Sequence, residues 1–354
     1  MLKPGVVTGE DYLTLVRNCK EQGYALPAIN VASTNTVNAA LEGAMLKKSD
    51  IIIQLSNGGA QFFAGKGIKD THAARVIGAV SAARHVHTVA KEYGICVVLH
   101  TDHANKGLIP WVESMIEASE EEFAATGHPL FSSHMLDLSE EPIEENLGHC
   151  ERILTRLAKI DMSLEIELGV TGGEEDGVGT DVDLVDNNKL YTQPSEVLQA
   201  YDRLSPIGHF SVAAAFGNVH GVYKPGNVQL RPEILQQSQA HVRNIHDTGE
   251  KPLDFVFHGG SGSSPDEIKE AVSYGVFKMN VDTDTQFAFS KAVGSYVEAH
   301  PAAFKYQIDP DTGTPFKKLY DPRAWLRACE TSMAERVQQA CDELGASGKS
   351  IATA

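Results

Sequence analysis

The chain has 354 residues, 42% of them hydrophobic, enough to bury a substantial core in one α/β barrel or two smaller domains. Thirty Lys and Arg against 47 Asp and Glu give a formal net charge of −17, and no basic stretch offsets it, which argues against nucleic acid and anionic membrane as partners. Five widely spaced cysteines with no CxxC argue against a disulfide framework or a thiolate zinc site. No apolar run approaches the roughly 20 residues of a membrane span, so a cytoplasmic protein is expected.

In chain order, short β-rich runs recur at 25–30, 51–56, 96–101, 130–137, 163–168, 210–216, 253–258 and 276–281. Most lack a clear solvent face, as buried parallel strands do. Helical patterns fill the gaps. Val37, Ala40, Leu41, Ala44 and Met45 form one apolar stripe, and Ile143, Leu147, Cys150, Leu154 and Leu157 form another. Ser264-Pro265-Asp266-Glu267 reads as a helix start, with Ser264 as N-cap, Pro265 in the first turn and Glu267 closing a capping box. Eight strands alternating with helices predict a (β/α)8 TIM barrel over residues 1–305, and no GxGxxG follows the first strand to favour a dinucleotide fold. Residues 306–354 then form a C-terminal helical extension, whose last helix opens at Asp321-Pro322.

Polar side chains end these strands or closely follow them: Asn30, Ser56, Asp102 with His103, Asp137, Glu167, His220, His258, and Asn280 with Asp282. In a barrel all C-terminal strand ends meet on one face, so these distant residues would share one pocket. A lone histidine at a strand end usually only bonds backbone. Three on three strand ends, His103, His220 and His258, favour a catalytic metal site with one open position. Such a set takes zinc but also cobalt or manganese. His85, His87, His100 and His134 read as structural.

Glu165 and Glu167 share one face of the fifth strand, where a buried pair needs a cation or donors. Asp102 is placed to transfer a proton beside the metal, or else to cap a helix. Glu174 and Glu175 lie in a glycine-flanked loop that would act as a mobile flap carrying a carboxylate. Gly259 to Ser263 run into the capped helix after strand seven, an anion cradle where barrels commonly hold phosphate.

Together, PAIN at 27–30, QLSNGG at 54–59, HTDH at 100–103, LFSSHMLDLSEE at 130–141, LEIELG at 164–169 and GGEEDG at 172–177 resemble class II, metal-dependent fructose-1,6-bisphosphate aldolase. FGNVHGVYKPGNV at 216–228, FHGGSGS at 257–263, GVFKMNVDTDTQ at 275–286 and YDPRAWLR at 320–327 extend the resemblance over almost the whole chain, and GGEEDG points to the dimeric A-type branch. The resemblance implies that His103, His220 and His258 hold a catalytic Zn2+, with Asp137 and Glu167 at a second divalent cation position. It makes Asp102 the acid for the aldehyde oxygen. Gly221, Gly259, Gly260, Ser261, Asn280, Val281, Asp282 and Thr283 would form the dihydroxyacetone-phosphate site, with a monovalent cation (K+ or Na+) beside it. Ser56 would contact glyceraldehyde 3-phosphate, Asn30 is a further substrate-contact candidate, and Asn280 stabilises developing charge. Arg323 would reach the active site of the neighbouring subunit in a homodimer. Ala104 departs from the family, where cysteine commonly follows HTDH.

The expected activity is reversible cleavage of fructose 1,6-bisphosphate in glycolysis and gluconeogenesis, with Asp102, Asn280 and either Glu174 or Glu175 as its catalytic residues. Tagatose or sedoheptulose bisphosphate are alternative substrates, because a few contacts set stereochemistry at one hydroxyl. A barrel metal-dependent hydrolase is the alternative from another class. It would favour HxH after strand one, where this chain has Ala28-Ile29-Asn30.

Overall fold

The apolar runs become parallel strands β1 (Leu26–Asn30), β2 (Ile51–Leu55), β3 (Cys96–Thr101), β4 (Ser133–Leu136), β5 (Ser163–Leu168), β6 (Phe210–Ala214), β7 (Phe255–Phe257) and β8 (Val276–Asn280). They pair in the order β3-β2-β1-β8-β7-β6-β5-β4, and a β3–β4 pairing closes the ring into the expected barrel. The computed structural model describes residues 1–170, 172–175, 178–180, 190–220, 230–260 and 263–353, with backbone alone at 172–175, 178–180 and 219–220.

Alternation hidden inside the apolar runs now sorts the side chains. On β3, Val97 and Leu99 join the core shared with the surrounding helices, whereas Cys96 and Val98 face a second, inner cluster. β2 does the same, with Ile51, Ile53 and Leu55 outward and Ile52 inward. The helix Gly9–Gln22 plugs the N-terminal end of the barrel, burying Tyr12, Leu15, Val16 and Cys19 against that inner cluster. It stops at Gly23, whose φ of 66° lies in the left-handed region that glycine enters freely.

Two strands are half the length that the sequence runs imply, and most of the others lose a residue or two at their ends. The run at 130–137 is a strand only over Ser133–Leu136, because Ser132 diverts its hydroxyl to the Val7 carbonyl at 2.7 Å and accepts the Leu99 N–H at 3.0 Å. The run at 253–258 narrows to Phe255–Phe257, beside a register shift against β8. The helix Pro265–Ser273 starts as expected, with Ser264 and Glu267 forming the reciprocal capping box.

The C-terminal helix Pro322–Glu343 packs between the helices Thr34–Lys47 and Thr283–Ala299, which follow β1 and β8. Gly43 makes the approach close, since a Cβ there would lie 2.7 Å from Val337 Cβ and from the Ala334 carbonyl oxygen. The chain end returns to the barrel foot. Asp50 accepts the Ser350 hydroxyl at 2.6 Å and the Ile351 N–H at 2.9 Å, and Leu2 N–H donates to the Ile351 carbonyl at 2.7 Å. No helix among the described residues is long and apolar enough to cross a membrane.

Near the barrel mouth, Ser56 caps the helix Asn57–Ala64 by accepting the Gly59 N–H at 3.1 Å. The helix Thr71–Val89 presses on that helix at Gly78, where a Cβ would overlap the Ala60 carbonyl oxygen. Gly78→Ala must force the two helices apart, and is expected to destabilise the protein by about 3 kcal/mol. Thermal unfolding checks this, and an unchanged Tm would contradict the close packing.

Candidate active site

Asp102 follows β3 at the mouth and is 1% exposed. Three side-chain amides aim at its carboxylate: Asn30 Nδ2 and Gln54 Nε2 each donate to Oδ2 at 3.0 Å, and Asn280 Nδ2 donates to Oδ1 at 3.3 Å. Strands β1, β2, β3 and β8 therefore converge on one acid. Asp102 caps no helix, since the next one, Ile109–Thr126, starts after the turn Lys106–Leu108. Neutral donors orient the carboxylate without supplying a compensating cation.

His103 leaves β3 with φ of 35°, a left-handed conformation uncommon for a side-chain-bearing residue, and thereby turns toward β4 and β5. Its Nδ1 lies 3.3 Å from Asp137 Oδ2 and 3.8 Å from Glu167 Oε2. Ala104 is buried beneath it, and its carbonyl accepts the Asp137 N–H at 2.9 Å. Asn146 Nδ2 donates to the Leu138 carbonyl at 3.0 Å and the Glu167 carbonyl at 3.1 Å, bracing the ends of β4 and β5. Asn218 Nδ2 donates to the His258 carbonyl at 2.8 Å and so ties the end of β6 to that of β7.

His258 is buried, with Nδ1 3.5 Å from Glu167 Oε2 and Nε2 2.8 Å from Glu165 Oε1. Burial alone would lower its pKa, but the Glu165 and Glu167 carboxylates outweigh that and raise it to about 9. Asp137 shows the complementary effect. Burial pushes its carboxyl up, while His103 and the Ser139 hydroxyl and N–H hold it down at about 2.

Ligand-type atoms of Asp102, His103 and His258 lie within 4.8 Å of one another, as do those of His103, Asp137 and Glu167. Glu167 Oε2 is buried without a hydrogen-bond partner among the described residues. Imidazole nitrogens facing three carboxylates, one with an unsatisfied oxygen, suit a divalent cation by donor type and by charge.

His220 lies on the short strand Val219–His220, which pairs in parallel with Gly172–Glu175. That segment carries Glu174 and Glu175 and pairs antiparallel with Val178–Thr180. What the sequence presents as a glycine-flanked loop thus includes, over its described residues, strands paired with each other and with the strand of His220. Gly221 and Ser261 fall outside the described residues. Gly259 takes φ of 60°, and Gly260 is buried where a Cβ would run into the Met279 side chain. Val281 donates its N–H to the Ala28 carbonyl at 2.9 Å, and Asp282 and Thr283 open the helix Thr283–Ala299 at the end of β8. Two helix N-termini, at Pro265 and Thr283, therefore follow β7 and β8, an arrangement favourable to anions. Arg323 stands apart. Its side chain is 91% exposed on the first turn of the C-terminal helix and pairs with Asp321 at 2.7 Å.

The four histidines that the sequence sets aside from the site all bond within the protein. His85 bonds Asn38 Oδ1 at 3.0 Å, His87 bonds the Leu130 carbonyl at 2.9 Å, and His134 bonds the Thr101 hydroxyl at 2.8 Å. His100 points inward, to Ser133 and Glu165. Sequence reasoning missed Gln54 and Lys278. Lys278 is buried, with Nζ 2.7 Å from Glu165 Oε2. Each has a signal in hindsight: a polar residue two positions before a strand-end polar residue, hence on the same face.

Residues 10–349 match the family described as "Fructose-bisphosphate aldolase class-II". The chain is 54% identical over 349 residues to a fructose-bisphosphate aldolase of Haemophilus influenzae, covering 97% of each. It is 53% identical over 350 residues to the class 2 fructose-bisphosphate aldolase of Escherichia coli K12, covering 98% of this chain and 97% of that one. The crystal structure of a Campylobacter jejuni fructose-bisphosphate aldolase superposes with a TM-score of 0.89 at 50% identity, covering 98% of this chain and 97% of that chain.

A site with this surplus of carboxylate should be stabilised by the cation it suits. Adding Zn2+ to chelator-stripped protein is expected to raise Tm, by an amount equivalent to about 2.7 kcal/mol when free metal is 100-fold above Kd. Thermal melts with and without metal check this, and a metal-insensitive Tm would contradict the cluster as a cation site.

Proposed function

The chain belongs to the class II fructose-bisphosphate aldolase family, and on that premise we propose a division of labour at its barrel mouth. The activity is that of a lyase: reversible cleavage of fructose 1,6-bisphosphate to dihydroxyacetone phosphate and glyceraldehyde 3-phosphate. Family membership implies a divalent metal and a phosphosugar substrate, and removes the hydrolase alternative. We assign the metal as zinc, held by His103, His220 and His258, with Asp137 and Glu167 offering a second cation position. When bound, zinc supplies Lewis acidity toward the ketose carbonyl, which stabilises negative charge left by C–C cleavage.

The observation that carries the reading is Asp102. It is a buried carboxylate beside His103 and His258, held by three amides. In cleavage it takes the proton from the C4 hydroxyl as the C3–C4 bond breaks, and the bond electrons remain on C3. In condensation it returns that proton to the aldehyde oxygen. Asn280, already donating to Asp102, also stabilises the developing charge. Glu174 or Glu175, on the strand paired with that of His220, delivers the proton that C3 needs to become dihydroxyacetone phosphate.

Gly221, Gly259, Gly260 and Ser261, with Asn280 to Thr283, receive the ketose phosphate, and a monovalent cation (K+ or Na+) belongs beside it. Backbone N–H groups and two helix N-termini support that assignment. Ser56 and Asn30 contact the aldehyde half. Arg323 serves the active site of a second subunit in a cytoplasmic homodimer. Its exposure supports this, as does the exposure of Phe287, Val297, Phe304, Tyr306 and Ile308 on and beyond the helix Thr283–Ala299.

The direct test is a coupled assay for triose phosphate from fructose 1,6-bisphosphate, with tagatose and sedoheptulose bisphosphates as comparators. EDTA should abolish turnover, and borohydride with substrate should leave it intact, because no lysine Schiff base is involved. Asp102→Ala should lower kcat by about 10²- to 10⁴-fold while retaining metal. Near-normal cleavage by that variant would remove Asp102 from the role. Mixing Asp102→Ala with Arg323→Ala protein should restore about a quarter of wild-type activity through heterodimers that carry one intact site. No recovery would place Arg323 in its own subunit's chemistry or outside it.

A further inference from the structure

The reaction above leaves unused a buried ion pair of the barrel interior. Lys278 on β8 and Glu165 on β5 reach across the barrel and pair at 2.7 Å, each side chain only 2% exposed. An ion pair withdrawn this far from water is poor value for stability alone, since apolar residues of similar volume often serve as well. The other oxygen of Glu165 accepts from His258 Nε2 at 2.8 Å. We propose that the Glu165–Lys278 pair is a positioning device for His258, setting which ring nitrogen is presented to the metal. The proposal rests on the reading of His258 as a metal ligand.

An ionised carboxylate only accepts hydrogen bonds, so the Glu165 contact places the imidazole proton on Nε2. With metal bound, Nδ1 would then present the lone pair; it faces Glu167 Oε2 at 3.5 Å, and His258 belongs to the group formed with Asp102 and His103. Carboxylates that hold the remote N–H of a metal-bound histidine fix both its tautomer and its ring plane. Lys278 has the matching task one step further back. Without it, Glu165 would be free to turn toward His100 Nε2, already 3.4 Å from Oε2. His100 is itself anchored through Nδ1 to the Ser133 hydroxyl at 2.8 Å, which keeps its Nε2 turned toward Glu165. The chain Lys278–Glu165–His258 thus runs from the barrel interior to the metal position.

The first measurement uses the wild-type holoenzyme, so it does not depend on any variant folding. In zinc-loaded protein labelled with ¹⁵N-histidine, His258 should carry its proton on Nε2 and bind through Nδ1, and binding through Nε2 would overturn the proposal. The second uses Lys278→Met loaded with Co2+. Chelator competition should show metal held about 10- to 100-fold more weakly, with a changed visible absorption spectrum and partial recovery in Lys278→Arg. A folded Lys278→Met protein with wild-type metal affinity and spectrum would show the pair to be structural only. Failure of the underlying reading looks different: His258→Gln would then bind metal as tightly as wild type.

Discussion

A carboxylate inside a barrel must find its counter-charge there, and much of this active site is arranged around how Glu165 does so. Lys278 from β8, His258 after β7 and His100 from β3 all meet its two oxygens. Burial would raise its pKa, but Lys278 foremost, then the histidines, hold it well below the usual carboxylate range. Removing one partner from such a buried pair typically costs about 3–5 kcal/mol, because the remaining charge is left without water or counter-ion. Below this layer lies the inner apolar cluster, closed by the helix Gly9–Gln22; above it lie Asp102, His103, Glu167 and Asn280. The ionic layer therefore separates a conventional core from a polar mouth.

The arrangement inverts the usual reading of an alternating strand. On β5, Leu164, Ile166 and Leu168 pack outward against the helices, while Ser163, Glu165 and Glu167 face the interior. A half-exposed sheet with the same pattern would send the acids to water. Here closure of the ring removes that option: Glu165 is held by Lys278 and His258, and Glu167 faces His103 and His258. Side-chain amides brace the rim. Asn146 and Asn218 tie the ends of neighbouring strands, while Asn30, Gln54 and Asn280 orient Asp102. Because amides orient without adding charge, they leave the electrostatics of the mouth to its carboxylates, imidazoles and cation.

The barrel and its strand-end residues were legible because they rest on two simple regularities, an apolar run per strand and a polar residue at its exit. His103, His258, Asp137, Glu167 and Asp102 all lie at such exits and gather within hydrogen-bonding or near-ligand distances. Lys278 and Gln54 were not legible in the same way. Each sits inside an apolar run, and only the register of the closed ring reveals that Lys278 meets Glu165 across the interior rather than marking an exposed edge. The pairing of Gly172–Glu175 with the strand of His220 was hidden for another reason: glycines give no periodicity, and the pairing joins segments more than 40 residues apart. The alternation along β3 that turns His100 inward also turns Thr101 outward, and Thr101 in turn holds His134 in the wall.

A net charge of −17 weighs against nucleic acid and anionic membrane without excluding small anions, and it stands in tension with a family that acts on a sugar with two phosphates. Lys278 cannot resolve that tension, since Glu165 already neutralises it inside the barrel. Asp102, Asp137 and Glu167 make the mouth more acidic still. On the reading proposed above, attraction for phosphate would come from groups that do not enter a count of lysines and arginines: a bound cation, the N-termini of the helices Pro265–Ser273 and Thr283–Ala299, and backbone N–H groups around Gly259 and Gly260. An exposed arginine at the head of the C-terminal helix becomes useful to such a site only if another copy of the chain brings it there. A mouth this acidic thus makes the cation a condition for binding the anionic substrate as well as for its chemistry. Metal loss should weaken phosphosugar binding before any question of catalysis arises.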